Sequence, residues 1–223
     1  MTSVLVVVAH PDDAELAMGM RIRDYALTGA RVHVHCLTTG APGPNGTAPR
    51  ADECRAAGAV LGVDRYTFAA IPDNHFVERR VEINTGLFRL FTQEHPDIVY
   101  THFPDDQHLD HRITACEVTT VALRESNNLT YFRSPYSHGF EPTEVFVATP
   151  ALLEAKAKAL TCFASQKQLD MDLFTALATV AHRQHVHHRV VERFPEGYHC
   201  AEQFRTARRI EFATDAEQRN PIP

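Results

Sequence analysis

The sequence predicts an α/β fold: a three-layer sandwich around a mostly parallel central sheet, in a single domain spanning residues 1–223. Three observations predict it. Short β-branched runs alternate with amphipathic stretches through the first half of the chain, the pattern of repeated β-turn-α units with right-handed crossovers. Two of those runs end abruptly in dense clusters of His and Asp, and the carboxyl ends of strands are where open α/β sheets bind ligands. No repeat, low-complexity tract or linker divides the 223 residues, a length at which one domain buries a sizeable core.

The elements follow in order. Val4–Val8 is a continuous β-branched run, as in a strand buried on both faces. Ala14–Leu27 intersperses Leu16, Met20, Ile22 and Leu27 with Arg21, Arg23 and Asp24 and ends at Gly29, an amphipathic helix with a C-terminal glycine. Val32–Thr39 alternates as a second strand. The stretch Gly40–Pro49, with three Gly and three Pro, is a loop. A helix from about Ala51 to Leu61 precedes a short strand, Tyr66–Ile71, and a turn at Pro72-Asp-Asn74. Val81–Glu94 has helical periodicity, Asp97–His102 reads as a strand, and a helix follows the second polar turn to about Leu123. Strands near Thr130–Arg133 and Glu144–Ala148 lead to helices from about Ala151 to Arg183. This succession is Rossmann-like.

Composition narrows the function. A net charge of −6 without a basic stripe argues against nucleic acid as a partner. No run approaches the ~18 consecutive apolar residues of a membrane span. The chain opens directly on a strand, which argues against a secretory signal. The five cysteines, an odd number without close pairs, read as reduced thiols in a cytoplasmic protein. A small-molecule partner remains.

The first polar turn, Ala9-His-Pro-Asp-Asp-Ala-Glu15, places one imidazole and three carboxylates within six residues of a buried strand. The second, Phe103-Pro-Asp-Asp-Gln-His-Leu-Asp-His111, follows another predicted parallel strand, so both turns open on the same sheet edge. Together they offer His10, Asp12, Asp13, Glu15, Asp105, Asp106, His108, Asp110 and His111. A His/Asp/His set with an open fourth position is what a catalytic zinc requires, and neighbouring carboxylates would serve as general base and as orienting partners. A lone Asp at a strand end is usually a helix N-cap, and Asp12 or Asp13 could cap the following helix. Two such clusters at equivalent strand ends are much harder to explain that way.

Ala9-His-Pro-Asp-Asp-Ala-Glu15 resembles the A-H-P-D-D-x-E signature of the LmbE/PIG-L deacetylases, and His108-Leu-Asp-His111 resembles their later H-x-D-H motif. Leu37-Thr-Thr-Gly40 followed by Arg50 and Glu53, the Asp97-Ile-Val99 strand and Ala201-Glu-Gln-Phe204 extend the likeness over most of the chain. The resemblance implies a zinc-dependent hydrolase that removes an N-acetyl or other N-acyl group, typically from an amino sugar. It implies one Zn2+ per chain, other divalent ions being tolerated in its place, held by His10, Asp13 and His111. It places Asp12 as general base and His108 facing substrate as acid or oxyanion stabiliser. Asp110 holds the His108 tautomer, Arg50 lies at the substrate mouth, and Glu15 and Glu53 support the site. Relatives often assemble, and the resemblance leaves open whether this chain forms a homo-oligomer. Some relatives carry a Tyr two residues before the motif histidine, where this chain has Asp106; its charge is expected to raise the His108 pKa if it lies close.

Other readings stay open. Within the same chemistry, the substrate could be another amide, such as a thiol conjugate or an N-acyl antibiotic. A non-hydrolytic nucleotide-sugar binder is a different class, although the first turn lacks G-x-G-x-x-G. A phosphoesterase commonly needs two metals. Asp73 and Asn74 read as turn residues before sugar contacts. His33 and His35, on one strand face, read as packing or pairing residues. His102 reads as a structural or supporting residue, and His138 is left open as facing the cleft. His182, His185, His187 and His188 read as an exposed helix end or loop rather than a metal tract.

Overall fold

A computed structural model describes residues 1–40, 49–166, 170–186 and 197–211. The predicted loop at 41–48 and the histidines His187 and His188 lie outside the described residues. Seven strands form one sheet: β1 (Ser3–Val8), β2 (Arg31–Cys36), β3 (Arg65–Phe68), β4 (Ile98–His102), β5 (Asn128–Phe132), β6 (Glu144–Ala148) and β7 (Cys200–Arg209). Their order is β3-β2-β1-β4-β5-β7-β6. The first five strands pair in parallel, and β7 runs antiparallel to both β5 and β6. Six helices cover the faces among the described residues: α1 (Asp13–Leu27), α2 (Pro49–Leu61), α3 (Arg80–Glu94), α4 (Leu109–Glu125), α5 (Pro150–Leu160) and α6 (Met171–His185). None is long and apolar enough to cross a membrane.

The alternation in β1 builds two cores at once. Val4, Val6 and Val8 pack with α1, α2 and α5 through Met18, Ile22, Cys54, Leu61 and Leu160. Leu5, Val7 and Ala9 pack on the opposite face with Ile83, Leu87 and Phe91 of α3 and Val118, Val121 and Ala122 of α4. All six β1-side residues are essentially inaccessible, which is why the strand reads as an unbroken apolar run. The cysteine sulfurs are all free, and Cys36, Cys54 and Cys200 are buried.

The order matters for function. Strand β1 has β2 on one side and β4 on the other, so the connections diverge there and leave a crevice above the β1 and β4 carboxyl ends. Both polar turns leave these two adjacent strands, and about a hundred residues of sequence separation collapse to neighbouring positions.

Strand β7 was not predicted as a strand. Its Cys-Ala-Glu-Gln-Phe-Arg-Thr-Ala-Arg-Arg sequence has no sustained period-2 pattern: Cys200–Phe204 pairs with β6 and is largely buried, Glu202 included, whereas Phe204–Arg209 pairs with β5 and is largely exposed beyond Phe204. Glu202 is buried there and fully engaged. Its two carboxylate oxygens accept from Met20 N at 3.0 Å and Arg21 N at 2.8 Å, and Lys156 Nζ donates to it at 2.8 Å. Those amides are free because α1 kinks at Met18 (φ −144°, ψ 28°), so Glu202 caps the second half of the helix from another element. A Cβ on Gly19 would lie 2.9 Å from Lys156 Cγ, so glycine there admits the buried lysine stem. The lattice of β2 and β3 is tied by histidines as expected: His33 Nε2 and His35 Nδ1 both contact Thr67 Oγ1, at 2.6 and 2.8 Å.

Two stability predictions follow from these contacts. Glu202→Leu strands a buried ammonium and two amides and is expected to cost about 3–5 kcal/mol in denaturant unfolding. Lys156→Met, which leaves Glu202 its two amide donors, is expected to cost less. Burial, with the charges of His33 and Arg65 added, lowers the His35 pKa from 6.5 to about 4. Its neutral form therefore stabilises the fold above pH 6.5, and that contribution is lost as pH falls through about 4. His35→Gln is expected to flatten the acid limb of a stability-against-pH curve over that window.

Candidate active site

The β1 turn is strained where the chemistry gathers. Asp12 has φ 95° and ψ −25°, a left-handed conformation costing a non-glycine residue about 1–3 kcal/mol. It occupies the N-cap of α1 yet makes no side-chain capping hydrogen bond. Capping therefore does not explain Asp12. Its carboxylate instead accepts from Arg50 Nη2 at 3.0 Å, and the same guanidinium donates to the Pro11 carbonyl at 3.0 Å. Gly40 (φ 86°) leaves room for that side chain, since a Cβ there would meet Arg50 Cδ at 2.7 Å. The Asp13 carboxylate folds back to accept the His10 backbone N–H at 2.7 Å.

His10 Nδ1 lies 3.3 Å from His111 Nε2 and 3.5 Å from Asp13 Oδ2, and His111 Nε2 lies 3.5 Å from Asp13 Oδ1. Two imidazole nitrogens facing each other across 3.3 Å repel as lone pairs and also as two N–H groups. One N–H directed at the other ring's lone pair, a shared proton or a metal ion resolves the contact. Three corners of a tetrahedron with bonds of about 2.0–2.1 Å are about 3.3 Å apart, so the donor set fits a metal.

The outward nitrogens of both rings face carboxylates. His10 Nε2 is 3.1 Å from Asp73 Oδ1 and 3.3 Å from Asp110 Oδ2, and His111 Nδ1 is 3.3 Å from Asp106 Oδ1. Assigned from these partners, each ring in its neutral form carries its proton on the outward nitrogen and a lone pair on the inward one. His108 stacks on His111 with ring centroids 4.6 Å apart and stands 4.7 Å from His10. Further groupings of possible donors are His10–His108–His111 and Asp13–His102–His111.

Electrostatics follow the geometry. Burial alone would lower the His10 pKa, but contacts with Asp110, Asp13 and Asp73 carry it to about 11. His111 rises to about 9 against burial, through Asp13 and Asp106. Asp13 is buried yet held well below the ordinary range by His111, His102 and His10. The pocket is thus a trap for positive charge. Burial and the Asp13 charge raise Asp12 to about 7, with Arg50 opposing. Burial raises Glu15 to about 8, and the charges of Asp12 and Asp13 add to the shift. Glu15 is fully buried, and its carboxylate oxygens have no partner with hydrogen-bond geometry among the described residues.

Several expectations need correction. Asp110 does not contact His108; it accepts from the Asn74 backbone N–H at 2.9 Å and faces His10, while His108 Nδ1 has no partner among the described residues. Asp106 does not raise the His108 pKa. That pKa is lowered by burial and by the His10 and His111 charges, because the Asp106 carboxylate faces His111 and takes only the His108 backbone N–H, at 2.9 Å. Glu53 lies off the site, where it accepts from Ser165 N and Oγ at 2.8 and 2.6 Å. Asp73 was read as a turn residue, yet it reaches His10. It follows β3, and the strand-end argument that found the two polar turns points to it as well. His102 stacks on His111 at 4.0 Å, accepts from Ala9 N at 3.0 Å and lies 3.2 Å from Asp13. His138 contacts the Gln107 side chain. His185 contacts Gln203 at 2.8 Å on the exposed end of α6.

Loop 134–138 is fastened to the second turn by one buried carboxylate. Ser134 Oγ and Ser137 Oγ, the latter at 3.1 Å, both donate to Asp106 Oδ2. Gln107 N donates to Tyr136 O at 3.0 Å, and His138 N to Asp105 O at 2.8 Å. The Ser134 and His111 contacts, with the His108 amide, outweigh burial and hold Asp106 at about 2. A cavity of about 700 Å³ elsewhere, between β2 and α3, is lined by His35, Ile71, Arg79 and Ile83 among others. None of its lining residues comes from either polar turn, so the chemistry rests at the β1/β4 crevice.

Comparison with known proteins agrees with this geometry. The family described as PIG-L: GlcNAc-PI de-N-acetylase matches residues 5–122. A protein of Escherichia coli K12, named uncharacterized deacetylase YaiS, is 27% identical over 137 residues, covering 59% of this chain and 74% of that one. The N,N'-diacetylchitobiose deacetylase of Pyrococcus horikoshii superposes with a TM-score of 0.73 at 21% identity, covering 93% of this chain and 84% of that chain. GalB, the 4-carboxy-2-hydroxymuconate hydratase of Pseudomonas putida KT2440, superposes with a TM-score of 0.78 at 20% identity, covering 97% and 100%. At these identities the two structures share the fold alone.

Asp106→Ala is expected to cost about 2–3 kcal/mol, because it leaves Ser134, Ser137 and the His108 amide without their acceptor. Amide hydrogen exchange at Gln107 and His138 should speed up in the variant.

Proposed function

The chain belongs to the PIG-L, GlcNAc-PI de-N-acetylase, family, and from that premise we propose a zinc-dependent N-deacetylase, with one ion per chain. It frees the amine of an N-acetylglucosamine-type moiety in a small glycoconjugate. One observation carries the reading: His10 Nδ1 and His111 Nε2 face each other at 3.3 Å with the Asp13 carboxylate against both, Oδ2 3.5 Å from the first and Oδ1 3.5 Å from the second, beside a carboxylate that the helix does not use as a cap. The hydratase neighbour shares the fold, and a fold does not set the reaction. The donor set and the family support deacetylation.

His10 Nδ1, Asp13 and His111 Nε2 would hold the ion, with Asp73, Asp110 and Asp106 fixing the two tautomers. When bound, zinc would supply Lewis acidity, making a water more acidic and an amide carbonyl more electrophilic. Asp12 accepts the proton of the attacking water at its carboxylate. Its Arg50 contact aims the carboxylate and favours the ionised form. His108, kept neutral near pH 7 by burial and neighbouring positive charge, donates a hydrogen bond to the developing oxyanion rather than a proton. Asp12, protonated in the first step, then delivers that proton to the leaving amine nitrogen. Arg50, where the sequence places the substrate mouth, meets sugar hydroxyls or an anionic aglycone.

Zinc-loaded protein is expected to release free amine from N-acetylated sugars or their glycosides, read by an amine-reactive dye. Asp12→Asn should keep about one zinc per chain and lose about 10²–10⁴-fold in kcat, whereas His10→Ala should lose the metal in elemental analysis. The wild-type rate should fall as pH drops through the Asp12 pKa, about 7 in the metal-free chain and lower with a cation bound, because the base must be ionised. No amine from any N-acyl sugar overturns the reading, and two ions per chain point to a phosphoesterase.

A further inference from the structure

Tyr136 stands out once the site is in place. Among the described residues it is the only aromatic side chain counted with the exposed large hydrophobics, at 53% exposure. A single exposed apolar side chain is ordinary; its setting is not. The backbone that carries it is fixed on both sides. Tyr136 N donates to Ser134 Oγ at 3.0 Å, Tyr136 O accepts from Gln107 N at 3.0 Å, and Ser134 N donates to Ser137 Oγ at 3.0 Å. Both serines end on Asp106, whose other oxygen lies against His111. A buried carboxylate thus holds an exposed ring at a set position relative to the reacting histidines.

That position is the mouth of the site. The Tyr136 ring centroid is 6.1 Å from that of His108 and 6.2 Å from that of His111, with interplanar angles of 55° and 58°. Tilted so, the phenol packs flat on neither imidazole, and the residue stays half exposed. The sequence from Pro135 to His138 contributes nothing to either hydrophobic core, so packing does not require an aromatic there.

We propose that Tyr136 is the platform on which the pyranose ring of the substrate stacks, presenting its acetamido group to His108 and to the His10–Asp13–His111 triad. The inference rests on the deacetylase reading and names the residue that would select the sugar ring of its substrate. A gluco-configured pyranose presents axial C–H groups on its ring faces, and a fixed aromatic face gains dispersion and C–H contacts with them at little entropic cost. An acyclic amide has no such face and gains little from Tyr136. The platform therefore selects among acetamides by shape, where the triad and Asp12 act on any amide that reaches them.

The test compares wild type, Tyr136→Phe and Tyr136→Ala on methyl N-acetylglucosaminide and on N-acetylethanolamine. Tyr136→Ala is expected to raise KM for the glycoside about tenfold with kcat nearly unchanged, and to leave kcat/KM for the acyclic amide as in wild type. Tyr136→Phe is expected to match wild type on both. An unchanged glycoside KM in Tyr136→Ala overturns the proposal. So does a loss of kcat in Tyr136→Phe equal to that in Tyr136→Ala, which would assign the role to the hydroxyl. Calorimetric binding of the glycoside, carried out in Asp12→Asn protein, reads the platform without turnover. If wild type releases no amine yet this binding still weakens about tenfold on Tyr136→Ala, the deacetylase reading fails and the platform stands. If neither turnover nor binding depends on Tyr136, the platform fails.

Discussion

His10 Nδ1 and His111 Nε2 meet at 3.3 Å with Asp13 against both, and this contact organises the crevice. Neutral imidazoles cannot hold it as two lone pairs, and doubly charged rings need dense counter-charge. The fold supplies that counter-charge from three strand ends: Asp13 after β1, Asp73 after β3, and Asp106 and Asp110 after β4. The inward nitrogens are left for a cation. The same negative potential, together with burial, lifts Asp12 toward neutrality, which is where a general base near pH 7 is needed. Strain at Asp12 is consistent with this, because a left-handed aspartate that caps nothing is retained only where its surroundings over-determine it.

Rigid support comes from elements far from the chemistry in sequence. The C-terminal strand β7 reaches α1 through Glu202, caps its second half and joins it to α5 through Lys156. Since α1 begins at Asp13, the antiparallel edge of the sheet steadies the helix whose first residue is a candidate ligand. Asp106 does comparable work at the other turn, where one carboxylate serves His111, the start of α4 and the 134–138 loop. Ligand geometry and the mouth of the site are thereby linked through a single buried side chain.

Much of this was legible in the chain. The β-turn-α succession, the mostly parallel sheet and the meeting of the two polar turns follow from hydrophobic periodicity and strand-end logic. Both periodicity and local turn chemistry are properties of adjacent residues. Strand β7 escaped because its first half pairs with β6 and its second with β5, and because a buried carboxylate satisfied by distant donors interrupts its apolar residues, neither of which leaves a period. Asp73 was underweighted because a Pro-Asp-Asn turn explains itself locally. Asp110 and Asp106 were assigned to the wrong histidine, since motif spacing places a carboxylate near two imidazoles without saying which nitrogen it faces.

By itself, then, the sequence determined which residues converge and what elements carry them: His10, Asp12 and Asp13 on one turn, His108, Asp110 and His111 on another, opening on one sheet edge. Tertiary structure alone decided the pairings within that set. It turned Asp110 and Asp73 onto His10, gave Asp106 to His111, placed Arg50 on Asp12 and fixed Tyr136 at the mouth. Hydrophobic pattern is read along the chain, residue by residue, whereas hydrogen-bond direction and charge balance depend on atoms a few ångströms apart whose positions many distant residues must agree on.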